Sequence, residues 1–115
     1  MTSSAPPPRV RCRPIGESDL VPVVDLLRQG FPGRSRRYWM RGFGRQAARA
    51  LPPGVPRYGF LLESEGCPVG VILLLYTALG SGPQAELRCN LSSWYVDPEF
   101  RSQASPLIFA APARY

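Results

Sequence analysis

The stretch SSWYVDPEFRSQASPL, Ser92 to Leu107, holds the residue types best suited to chemistry in this chain. An apolar run ends in Val96-Asp97-Pro98. It gives way to Arg101, Ser102, Gln103 and Ser105, ahead of a segment read as a helix. A strand that turns at Asp-Pro and enters a helix near Arg101 presents unpaired backbone N–H groups at the positive end of the helix dipole, a setting that suits a pyrophosphate. Arg101 adds formal charge, and the hydroxyls and the amide add donors. An ordinary strand–loop–helix connection has the same residue order, so both readings stand.

A second candidate is a stripe of arginines. Arg37, Arg41, Arg45 and Arg49 recur every four residues and so share one face of a helix. Such a stripe is a solvated face, an attractor for an acidic ligand or, as the least favoured of the three, a nucleic-acid footprint. Like charges at this spacing repel, and the sequence places no aromatic on the same face. GFGRQA, Gly42 to Ala47, lacks the spacing of a phosphate loop and is set aside.

Other chemistries are excluded by composition. The chain has no histidine, which removes Ser-His and Cys-His nucleophile pairs and most zinc sites, so no metal site is expected. Cys12, Cys67 and Cys89 are odd in number and widely spaced, which reads as free thiols in a reducing compartment. The net charge is +6 and lysine is absent; all-arginine usage speaks more to a GC-rich genome than to function. No apolar run approaches the ~18 residues of a membrane helix, and the N-terminus has no signal-peptide pattern, so a cytoplasmic protein without membrane contact is expected.

The elements that must position these residues follow from periodicity. Met1 to Pro8 is rich in Ser and Pro and is expected to be a disordered tail, leaving one domain over residues 9–115. Val10 to Ile15 alternates with period two, as a strand does. Leu20, Val23, Val24 and Leu27 form one helical face, with Gly16 or Ser18 as cap and Gly30 and Pro32 as stop. A second helix is expected over Arg36 to Ala50, burying Tyr38, Trp39, Phe43, Ala47 and Ala50. Tyr58 to Glu63 and Val69 to Ala78 read as a hairpin around a turn from Ser64 to Pro68, with Gly66 supplying the awkward backbone angles. Ala85 to Val96 is a further strand.

In this order the elements resemble the N-terminal two-thirds of the GNAT (GCN5-related N-acetyltransferase) acyltransferases. VRCRPIGESDLVPVVDLL is similar to that family's opening strand and first helix, YGFLLESEGCPVGVILL to its central hairpin, and WYVDPEFRSQASPL to its cofactor motif. The resemblance runs from about Val10 to Leu107. It implies an α/β (α+β) fold, a mixed, mostly antiparallel sheet flanked by helices, and transfer of an acetyl or acyl group from acyl-CoA to an amine. By the same resemblance, the backbone of Trp94, Tyr95 and Val96 would pair with the pantetheine arm of acetyl-CoA. Arg101, Ser102, Gln103, Ala104, Ser105 and Pro106 would wrap the pyrophosphate, and Leu107 would anchor the following helix. Glu86 is the candidate base, with Asn90 or Ser92 holding a water.

The chain departs from the family where Ser102, Ala104 and Pro106 stand in place of glycines, since an added Cβ or a lost N–H weakens close approach to phosphate. It also reads as truncated after the start of the cofactor-motif helix, which implies impaired activity. The alternative is a non-catalytic remnant or interaction module that pairs, as a homodimer for instance, through an exposed strand edge.

Overall fold

Burial on both sides of one long apolar strand organises the molecule. The computed structural model describes residues 10–51, 54–80, 86–104 and 106. Four strands, β1 (Val10–Pro14), β2 (Gly59–Ser64), β3 (Cys67–Leu79) and β4 (Glu86–Val96), form an open sheet in the order β1-β2-β3-β4, with every neighbouring pair antiparallel. Helices α1 (Leu20–Gly30) and α2 (Arg36–Ala48) lie between β1 and β2 in sequence. The α+β class and the antiparallel sheet read from the sequence are therefore present. Met1 to Pro8, Ser105 and Leu107 lie outside the described residues.

Residues Val71 to Leu74 of β3 are all buried because each face of the sheet has a cover. Val71 and Leu73 join Leu61 of β2 beneath Val23, Val24 and Leu27 of α1. Ile72, Leu74 and Tyr76 join Phe60, Leu62 and Val96 on the other face, where Val55 and Ala104 pack from the flanking segments. Each fully buried aliphatic side chain of this kind contributes roughly 1.5–3 kcal/mol.

Local chemistry sets the ends of the elements. Glu65 and Gly66, with φ of 51° and 81°, form a two-residue turn of the type I′ pattern, so β3 begins at Cys67, ahead of the expected Val69. Pro22 sits in the first turn of α1, where its missing N–H is not needed. Ser35 caps α2, its Oγ accepting from the Tyr38 N–H at 3.1 Å. The helix stops at Ala48, two residues before the expected end, because Arg49 is extended (φ −79°, ψ 146°). Arg57 donates to the carbonyls of Gln46, Ala47 and Arg49 at 2.9, 3.2 and 3.0 Å and so closes that end.

Only Trp39 and Phe43 of the expected buried side of α2 are buried; Tyr38, Ala47 and Ala50 are exposed. The helix leans on α1 and reaches toward the sheet through the Phe43 ring, edge-on to Tyr58 with centroids 5.4 Å apart. A narrow apolar stripe suffices for that contact. Among the described residues no helix is long and apolar enough to cross a membrane.

Arg13 ties the first crossover together. Its guanidinium donates to both oxygens of Asp19 at 2.7 Å and lies 3.1 Å from Glu63 of β2. The Asp19 carboxylate also accepts from the Gly16 N–H at 2.7 Å, closing the 3₁₀ turn Glu17–Asp19 that leads into α1. The Arg13 bonds, with the Gly16 N–H, hold the Asp19 carboxyl below the usual carboxylate range against the opposing effect of burial.

Two outcomes follow for stability. Asp19→Asn should cost on the order of 2 kcal/mol at neutral pH by weakening a largely buried charge-assisted pair. A carboxylate with a depressed folded pKa stabilises fully above its unfolded value of about 4 and ceases to do so as pH falls through the folded value. The gap between wild type and Asp19→Asn in urea titrations should therefore shrink on acidification; a gap independent of pH would move the stabilising role elsewhere. Gly59 has φ +129°, and a Cβ there would overlap the Ile72 carbonyl oxygen. Gly59→Ala should cost about 3 kcal/mol or more, read as a lowered urea midpoint.

Candidate functional site

The sequence-predicted residues fall along β4 and the turn after it. β4 pairs with β3 on one side and is the last strand of the sheet order, so its other side is an edge among the described residues. Its register skips one residue: Leu73 faces Ser93 and Leu74 faces Leu91, which leaves Ser92 as the extra residue of a β-bulge. Residues directly opposite one another share a face. Asn90, opposite Leu75, and Ser93, opposite Leu73, therefore both stand on the helix side, although their spacing is odd.

Glu86, Asn90 and Ser92 are all exposed. Glu86 pairs with Leu79 at the far start of β4, six residues from Ser92, so the strand holds these two roughly 20 Å apart. Trp94 is exposed and Val96 is buried. Tyr95 is half-buried, its ring edge-on to Phe31 at 6.4 Å and resting against Gly30, where a Cβ would overlap it. Gln29 at the end of α1 donates to the Tyr95 hydroxyl and to Asp97 Oδ2, each at 3.1 Å.

The turn after β4 is a 3₁₀ helix, Pro98–Gln103, which leads into the span Arg101 to Pro106 where the last helix is expected to begin. Asp97 caps it, with Oδ1 accepting from the Glu99 N–H at 3.0 Å. The Gln29 amide and that N–H hold the Asp97 carboxyl below the usual range, so an anion already occupies the first donor of the turn. Arg101 is exposed and its Nε donates to the Val96 carbonyl at 3.2 Å. Ser102 is exposed, Gln103 half-buried, and Ala104 is buried in the core beside Val96. Pro106 is exposed, with its carbonyl 3.7 Å from Cys12 Sγ.

A cavity of about 420 Å³ opens between α2 and the β3–β4 ladder. Of the predicted residues Ser92 lines it, together with its neighbour Ser93. Its apolar walls are Trp39, Phe43, Tyr58, Leu73 and Leu75, and its rim carries Tyr38, Arg45, Gln46 and Arg49. Burial pushes the Tyr58 hydroxyl pKa up, and so does the bond it donates to Glu17 at 3.0 Å. The arginine stripe is thus exposed as expected, yet Arg45 and Arg49 border a cavity with aromatic walls. The sequence carried one signal for this: Trp39, Phe43 and Gln46 at i, i+4 and i+7 share a helical face.

Cys12, Cys67 and Cys89 form no disulfide among the described residues. Among the described residues no group of three His, Cys, Asp or Glu side chains forms a metal cluster. The chain matches no protein-family model and no curated protein. Arg41 lies outside the main cavity on the exposed side of α2. Arg41→Gln should shift the unfolding free energy by no more than about 0.5 kcal/mol, as ordinary surface changes do, measured by urea titration.

Proposed function

We propose that the chain is a GNAT-type acyltransferase that takes an acyl-CoA along the outer edge of β4 and passes the acyl group to an amine. The observation that carries this reading is the open edge of β4 with its bulge at Ser92 beside the cavity. The amides of a pantetheine arm add to such an edge as a strand does, through the N–H and C=O groups of Trp94 to Val96. Bulges re-aim backbone and side chains next to reactive sites. An amine in the cavity loses a proton as its nitrogen bonds the thioester carbonyl carbon; backbone N–H groups stabilise the oxyanion, and the C–S bond then breaks, CoA leaving as a thiolate that takes up a proton. Ser92 is the predicted polar residue nearest that point. Asn90, two residues before the bulge, is the water-holding group, whereas Glu86 stands too far along the strand to take the proton directly. An acyl-CoA co-substrate accords with a cytoplasmic setting, as do three widely spaced cysteines outside any disulfide.

The pyrophosphate end is weak in this reading. Asp97 places a carboxylate at the turn, Ser102 carries a Cβ where close approach is needed, and Ala104 is committed to the core. Calorimetric titration should give a Kd for acetyl-CoA of about 1 mM, with Ser102→Gly tightening it and Arg101→Gln weakening it severalfold. Amide shifts of Trp94 to Val96 should move with the titration. No shift at these amides at saturating acetyl-CoA would overturn the proposal.

A second reading has its own observation. Leu91 and Trp94 are 58% and 45% exposed, and both lie on the face of β4 away from the helices. An edge strand with exposed apolar residues suits pairing with a second copy. A dimer in sedimentation that Trp94→Lys dissociates would favour that reading.

A further inference from the structure

We propose that the cavity between α2 and the β3–β4 ladder binds a small organic anion with a flat apolar body and a carboxylate-like head. The cavity is of the size that small-molecule sites have. Its floor is apolar and rigid: Phe43 and Tyr58 meet edge to face at 5.4 Å, and Leu73 is buried beside them. A flat body gains contact area there at little ordering cost.

The rim selects for charge. Arg45 lies in the last turn of α2 and Arg49 just past its end, both bordering the cavity, and an anion between them offsets the repulsion of two like charges. Arg45 has no side-chain hydrogen-bond partner among the described residues, and Arg49 has a long contact of 3.4 Å to Gln46 Oε1. No acidic residue lines the cavity. The carbonyls at the end of α2, the natural negative pole, are already taken by Arg57. The positive charge at the rim is therefore uncompensated by the protein.

Trp39 adds to the apolar wall; it is 8% exposed, and its Nε1 is buried without a hydrogen-bond partner among the described residues. Ser92 and Ser93 add hydroxyls on the opposite side. This is the cavity in which the reading above seats the acceptor amine, but none of these observations involves acyl-CoA, so the probe test is separate from the acyl-CoA titration.

Two fluorescent probes with one ring body test it: anilinonaphthalenesulfonate, an anion, and the uncharged phenylnaphthylamine. The sulfonate should bind one per chain and about tenfold tighter than the neutral probe. Arg45→Gln with Arg49→Gln should abolish that preference while leaving the neutral probe within about twofold. Arg37→Gln with Arg41→Gln changes the net charge equally on the same helix and should preserve it. All four arginines are exposed, so neither double variant disturbs the core. Equal affinity for the two probes, equal loss in both double variants, or more than one sulfonate per chain would each overturn the proposal.

Discussion

One guanidinium sets the geometry on which the rest is built. Arg13 leaves β1 opposite Leu61, reaches Glu63 on β2, and grips both oxygens of Asp19 at the entrance to α1. It thereby joins two strands and a helix start across a five-residue crossover. Taking these charges out of water is costly, and the bidentate geometry, the Gly16 N–H and the Glu63 carboxylate offset that cost. The return is direction rather than bulk stability. With its first turn fixed, α1 lies over β3 and β4, and α2 is packed beyond it. The space left between α2 and the sheet is the cavity.

The bulge at Ser92 is the second decision. Before it, Asn90 faces the helices; after it, Ser93 and Tyr95 do. Without the extra residue every side chain beyond it would turn to the other face. Trp94 would point under the helices, and Tyr95 would lose Gly30 and Phe31. The bulge also brings two consecutive serines to the cavity wall, which a regular strand cannot do. The absence of a side chain at Gly30 and the phase shift in β4 are thus two halves of one contact.

Much of the fold was legible because its signals are local. The α1 face of Leu20, Val23, Val24 and Leu27, the turn at Gly66 and the long apolar β3 all state their structure within a few residues. The site was less legible because it is made of phase shifts and leftovers. The bulge residues Val69 and Ser92 sit inside runs whose pattern continues through them. Tyr38 and Ala47 read as buried because aromatic and small residues usually are, yet the helix needed only Trp39 and Phe43. Asp97 read as part of a turn that frees N–H groups, whereas its own carboxylate consumes one of them.

Electrostatics divide β4 into two unlike ends. At its C-terminal end Asp97 and Glu99 surround the turn, and the one arginine there spends its Nε on the Val96 carbonyl. Beside the bulge, Arg45 and Arg49 face hydroxyls and aromatic rings with no carboxylate among them. A ligand laid along the strand would meet its least favourable field where a pyrophosphate belongs and its most favourable field at the cavity. Salt screens exposed charges beyond about 10 Å, so the two ends act separately. Arg45 and Arg49 thus stand at the mouth of the cavity beside aromatic walls, with no carboxylate in its lining to answer their charge.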